Sequence, residues 1–600
     1  MNRSNLLIAA AVALTTPVMA LAQVTGPSSS ATPYIVPLAT GVQSVSIMTV
    51  GDTVGGYRMV GIPDGLGGYG NGGSSFTLLM NHELGANVTA GVVNPVGFVR
   101  AHGAAGAFVS RWTIDNSTLQ VSQVQDFLPS NTSVFLSNNT PGTTVHSGFL
   151  AGGTTTLARL CSGDMAPASA YYFDPTPLSP NSGDEVGTDA RIFQSGEESS
   201  GVATSASQGT LTTEAGSTVH YGRQMAFIAT DDSNIAGDQS RTAYELPHAG
   251  LFAWENNLAS PLAQSKTVVM GMDDGSPIGQ LYVWVGDKQA TGNVVERAGL
   301  TRKTTADNLY VVRVPSLATF DGSGDPIENR TAPVSGTFTL ENEADVSATT
   351  FAGLESASDN LDAAQFLRPE DGHWDPINPN RFWFVTTDRY DEFKDNTDGL
   401  GNEADGTNDT VVDQHARSRL YHMDFTSISN PAAGGTITAA LDGTEGDNGG
   451  FGPNMLDNIT TVAGTDGVTR LLLQEDVGNQ NHNGKIWLYD PSLDSLTLIA
   501  QHDPARFGDI GLAATGPFNL DEESSGIIDA RNLITRPGVG GVPGLGWFLL
   551  DVQAHYSIPG ELVEGGQLVA LFIPQAIPEP TTAGLLAAGL PLLARRRRQM

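Results

Sequence analysis

The chain has 600 residues, with 64 Asp and Glu against 30 Lys and Arg, so its formal charge is −34. That surface repels nucleic acid and anionic lipid and attracts divalent cations. A single cysteine, Cys161, excludes an internal disulfide framework. The 70 Gly and 33 Pro, with few charges per residue, point to a turn-rich β protein rather than acidic disorder.

Met1 to Ala22 reads as a secretory signal. Arg3 is its positive region, Leu6 to Leu14 its apolar stretch, and Ala20-Leu-Ala22 a small-x-small cleavage site. Residues 23–75 read as an N-terminal linker with the first strands, with Ser28-Ser-Ser30 and the glycine-rich Gly65 to Ser75 as linker or loop. From there short aromatic runs recur between Gly, Asn, Asp and Pro: Phe76–Met80, Leu281–Val285, Leu309–Val314, Arg381–Val385, Leu420–Asp424, Ile486–Asp490 and Trp547–Asp551. They carry the strand-and-turn signature, and their loose self-similarity predicts an all-β, six-bladed propeller with long loop insertions over residues 76–573. A pair of β-sandwiches is the alternative. Glu-Glu-Ser-Ser-Gly occurs twice, at 197–201 and 522–526. Gly538 to Gly546 reads as a second glycine loop.

Residues 574–600 contain Ile577-Pro-Glu-Pro580, a short apolar run and Arg595-Arg-Arg-Arg598. This tail resembles the PEP-CTERM sorting signal. The resemblance implies an exosortase-type processing enzyme and a place at the cell surface or in the extracellular polymer matrix of a bacterium.

Carboxylate clusters in loops are hard-oxygen ligands for Ca²⁺, and a thiolate beside them suits iron. Asn81-His-Glu83, Cys161, Glu197-Glu198, Arg368-Pro-Glu370 and Gln474-Glu-Asp476 follow one another in an order that resembles the PhoX alkaline phosphatase family, over about Leu78 to Tyr556. The resemblance implies an exported phosphomonoesterase, a six-bladed propeller, and a site of calcium and iron. On it, Glu83, Glu197, Glu198, Glu370, Glu475 and Asp476 are candidate metal ligands, with Cys161 on iron and Arg368 the clamp on a small phosphomonoester. Two departures stand out: the signal is of the general secretory type where the family uses the twin-arginine route, and the stretch from Cys161 to Glu197 is long.

Other acidic motifs read differently. Glu522-Glu523 reads as solvated turn charge. Asp457-Asn458 and Asp359-Asn360 read as axial ligands or Asx turns. Asn396-Thr-Asp-Gly399 fails the EF-hand pattern, and Asp442-Gly-Thr-Glu-Gly-Asp447 reads as a polar insertion. No His-Glu-x-x-His or Gly-x-Ser-x-Gly occurs, which leaves a zinc protease or a nucleophile elbow without support. The rival functions are a related calcium-dependent propeller esterase or phytase-like hydrolase, and a non-catalytic propeller that binds matrix polysaccharide.

Overall fold

The computed structural model describes residues 22–574 except 90–91, 138–148, 152–155, 178–182, 199–209, 214–217, 221, 276–277, 318–325, 329–332, 348, 388–417, 443–452, 479–481 and 539–543. The signal segment up to residue 21, the tail from 575, the 396–399 motif, the 443–447 insertion and most of the second glycine loop lie outside the described residues. All seven aromatic runs lie in strands, and the fold is nearly all β. Helices among the described residues are short, the longest being Phe351–Asn360, which ends on Asp359-Asn360.

The strands gather into sheets with six edge strands that we call lead strands, and we number the sheets after them: Pro63–Gly70, Leu160–Asp164, Trp254–Ala259, Pro369–Trp374, Leu456–Ala463 and Glu522–Asp529. Each lead strand lies beside the next, and the sixth lies beside the first again, so the six close a circuit. The third and fourth share one nine-stranded sheet, as its two edges. Its halves are joined by only a short antiparallel contact, Gly336–Phe338 against Gly435–Ile437. The first residues described contain the first strands. Gln43–Thr49 pairs with the last strand, Val563–Pro574, and Ile35–Pro37 pairs with Ser495–His502. Ala22–Thr25 lies parallel to Gln43–Ser46.

Only the second half of the glycine-rich Gly65 to Ser75 is a loop, because its first half is the first lead strand. Its glycines answer to crowding at the circuit. A Cβ on Gly65 would lie 2.2 Å from the Gly163 nitrogen, one on Gly67 2.7 Å from Phe193, and one on Gly68 2.6 Å from Leu533. Only a residue without a side chain lets neighbouring lead strands approach so closely. Gly65→Ala should therefore cost about 1–3 kcal/mol through overpacking, read as a lower midpoint in urea. An unchanged midpoint would mean that the lead strands have room to spare.

Apolar side chains fill the seams between successive sheets. Trp383, Val385, Leu471, Leu473 and Trp487 pack the fourth against the fifth, while Leu472, Ile486, Leu488, Phe548, Leu550 and Val552 pack the fifth against the sixth. The alternation Leu471, Leu472, Leu473 thus feeds two different seams, which is why strands buried on both faces read as continuous apolar runs.

Candidate metal centre at the end of the lead strands

The second residue of every lead strand is an acid or the thiol: Asp64, Cys161, Glu255, Glu370, Asp457 and Glu523. All six are buried. In the first five sheets the ladder to the neighbouring strand slips at this point, leaving the second and third residues unpaired. Such bulges re-aim side chains, and here they turn the acids toward one another. The residue just before the lead strand is left-handed in four sheets, at Ile62, Arg159, Arg368 and Met455, with φ between 49° and 57°. For non-glycine residues this strain costs of order 1 kcal/mol or more each, and repeating it marks one entry turn used four times.

Residues at the exit of the neighbouring strands add Glu83, Glu198, Asp274 and Asp476. The result is a chain of overlapping groups whose ligand atoms lie within 4.8 Å of one another: Asp64–Glu83–Cys161, Cys161–Glu198–Glu255, Glu255–Glu370–Asp457 and Asp457–Asp476–Glu523. Below it, the third residues of the lead strands close the circuit with polar contacts. The Ser162 hydroxyl donates to Asn458 Oδ1 at 3.3 Å, the Asn256 amide to Asp371, and the Ile459 backbone to Asp371 Oδ2 at 2.9 Å.

Two arginines stand at the mouth. Arg368 forks onto Asp274, with Nε–Oδ1 and Nη2–Oδ2 both 2.7 Å, and its Nη2 lies 3.0 Å from Glu370. Arg159 reaches Glu83 at 2.8 Å and also bonds Glu198. Arg159 is nearly half exposed and Arg368 a quarter, whereas their acidic partners are buried. Burial and then neighbouring carboxylates push Asp64, Glu255 and Asp457 well above the ordinary range; burial also raises Glu198 and Glu370 against the pull of Arg159 and Arg368. Asp476 is pushed up to about 7, by burial and by Glu523. Burial, Asp64 and Glu255 raise the Cys161 thiol in the same way. So many acids cannot ionise together unless cations enter. The donor set fits that demand, with hard oxygens throughout for Ca²⁺ and one sulfur among carboxylates for a softer transition metal.

Of the residues singled out from the sequence, Glu83, Cys161, Glu198, Glu370 and Asp476 come together here, with Arg368 at the rim. Glu197 and Glu475 do not. Glu197 faces away from Glu198 and takes two guanidinium bonds from Arg223, both 2.8 Å. Glu475 accepts from Trp487 Nε1 at 2.8 Å, from the Asn454 and Lys485 backbones, and meets His482 at 2.9 Å. Glu522-Glu523 is no solvated turn, since both residues are buried and Glu523 belongs to the chain of acids. The repeated Glu-Glu pair is no structural repeat either, for Glu197 ends a second strand and Glu522 opens a lead strand. Asp64, Glu255, Asp274 and Arg159 escaped the sequence reading. The signal that could have found Asp64 and Glu255 is an apolar residue followed by an acid at a strand start, whereas Asp274 and Arg159 carry no such signal.

No family model matches the chain, and no curated protein matches its sequence. Among solved structures it is similar to PhoX from Pseudomonas fluorescens in complex with vanadate, a transition-state analogue, at a TM-score of 0.54 and 13% identity, over 90% of this chain and 96% of that one. It also matches the NanB sialidase of Streptococcus pneumoniae, at a TM-score of 0.29 and 8% identity over 86% of this chain and 68% of that one, a likeness too slight to carry an argument. The chain therefore has a PhoX-like fold.

Proposed function

We propose that the protein is an exported, metal-dependent phosphomonoesterase on a six-bladed propeller, one lead strand per blade. The observation that carries the reading is the continuous run of buried acids and one thiol beneath two guanidiniums. Asp64, Glu83, Glu198, Glu255, Glu370, Asp457, Asp476 and Glu523 would hold calcium, and Cys161 with its carboxylate neighbours iron. Bound cations would polarise a phosphoryl group, neutralise its charge and lower the pKa of a bound oxygen nucleophile. The chain's own part is to hold and orient. A phosphate dianion entering the mouth meets the Nη1 ends of Arg159 and Arg368, since the Nε and Nη2 edge of each guanidinium is held by carboxylates. Asp274 and Glu370 fix the Arg368 guanidinium in place, while Glu83 and Glu198 do the same for Arg159. The buried Glu and Asp side chains, fixed on strand ends, keep that geometry without reorganising.

The secretory signal supports export, and the PEP-CTERM-like tail supports exosortase processing and retention at the cell surface or in a polymer matrix. The test is hydrolysis of p-nitrophenyl phosphate by the purified processed protein loaded with Ca²⁺ and iron. Turnover should disappear on chelation. Arg368→Lys keeps the charge but loses the fork, and should lower kcat/KM about 10²- to 10³-fold, the equivalent of about 2–4 kcal/mol. A loaded protein that turns over no phosphomonoester would leave the non-catalytic matrix-binding propeller as the better reading.

A further inference from the structure

The seam between the fifth and sixth sheets is apolar along most of its length and turns polar at the acidic end. Alternation from Leu472 puts Gln474 on the seam face. Glu522 and Ser524 are the cross-strand partners of Ala554 and Val552, so they face the same seam. His502, the partner of Ile35, and Asn483 complete the group. All five are at most 1% exposed.

Glu522 is the departure that makes this seam unlike the others. At its position the other five lead strands carry Pro63, Leu160, Trp254, Pro369 and Leu456. Glu522 Oε1 accepts from the Gly484 backbone at 3.2 Å and from Asn483 Nδ2 at 3.3 Å. Asn483 Nδ2 also donates to the Gly508 carbonyl at 2.8 Å, which fixes the amide. His502 Nε2 lies 2.5 Å from Ser524 Oγ, and its backbone donates to Gly484. Among the described residues, the remaining polar atoms have no partner: Glu522 Oε2, Asn483 Oδ1, His502 Nδ1 and both amide atoms of Gln474. Buried groups left unpaired in this way are rare in native proteins. Here the surplus is chiefly acceptor oxygen, one of it a carboxylate's.

We infer that the seam holds a hard divalent cation of the Ca²⁺ class, separate from the chain of acids on the axis, with Glu522 Oε2, Asn483 Oδ1 and Gln474 Oε1 as its ligands. Such an ion joins the end of the fifth sheet to the start of the sixth. Glu523 adjoins Glu522 and Asp476 follows Gln474 by two residues, so the same clip fixes the backbone that presents two of the axial acids.

The inference does not rest on phosphatase activity, and its readout is stoichiometry. Calcium per chain is measured by mass spectrometry on desalted protein for wild type, Glu522→Gln and Gln474→Leu. Each substitution should lose one Ca²⁺ per chain, with Asp457→Asn as the control that loses axial calcium only. An unchanged calcium content in Glu522→Gln would overturn the proposal. Should that variant fail to fold, crystals of the wild-type protein soaked in Mn²⁺ decide the matter. An anomalous peak between Glu522 and Asn483 supports the site, and density there without anomalous signal, which is ordered water, refutes it.

Discussion

Stripping divalent cations from the protein should lower its melting temperature by several degrees at pH 8, and by much less at pH 5. Each site filled at a thousandfold excess over its Kd contributes about 4 kcal/mol to the folded state, and the axial acids offer room for more than one ion. The pH dependence follows from the stripped form. Asp476, pushed up to about 7, together with Asp64, Glu198, Glu255, Glu370 and Asp457, holds protons in the folded chain that the unfolded chain has released. A carboxyl raised in this way contributes stability that is complete below about pH 4 and is lost as pH rises through its folded value. For Asp476 the window runs from about pH 4 to about 7, and the others extend it upward. Bound cations replace those protons, so the loaded protein escapes the loss. Buried His82, pushed down to about 3 by burial, weakens both forms alike in acid and cancels from the difference. Paired thermal scans with Ca²⁺ and with chelator, from pH 5 to 9, read the effect. A gap that does not widen with pH would refute it.

Glu197→Ala should destabilise the protein by about 3–5 kcal/mol while leaving its metal content intact. Glu197 is fully buried, and besides the fork from Arg223 it accepts the backbone nitrogens of Ala158 and Arg223 at 3.1 and 3.2 Å. Truncation takes the carboxylate away from a guanidinium that is itself only 2% exposed. Its neighbour should behave in the opposite way, with Glu198→Ala losing bound metal at a smaller cost in stability. Denaturant titration and metal analysis of the two variants together decide the point, and metal loss in Glu197→Ala would return Glu197 to the ligand set.

Much of the fold was legible because strands announce themselves locally. An aromatic run closed by Asp or Gly is a strand whatever lies around it, and all seven such runs are strands. The Gly65 to Ser75 misreading has an equally local cause. Glycine signals a loop unless a neighbouring strand is close enough to forbid a Cβ, and Gly163 lies almost a hundred residues away. The same distance hid part of the site. Glu197 and Glu198 are adjacent in sequence, and only strand alternation separates a partner of Arg223 from a member of the acid chain. Glu523 was discounted because a pair of acids beside Ser-Ser-Gly resembles a turn. Its burial depends on the sixth sheet meeting the fifth, where Glu523 bridges to Asp476, a contact that no window of sequence contains.

The last strand leaves the acidic end behind. Gly566 pairs with Gln553, which donates to Glu83 at 3.2 Å, whereas Pro574 pairs with Gly544 at the strand's other extremity. The eight residue steps from one to the other span about 27 Å. Ala22, beside Gln43 and hence near Phe572, sits at that remote end too. A protein tethered through residues 575–600 would stand on its blunt end, with Arg159 and Arg368 facing away from the anchoring surface. Small dissolved phosphate esters could then reach the mouth directly from the medium, while the surface beneath would be shielded from it.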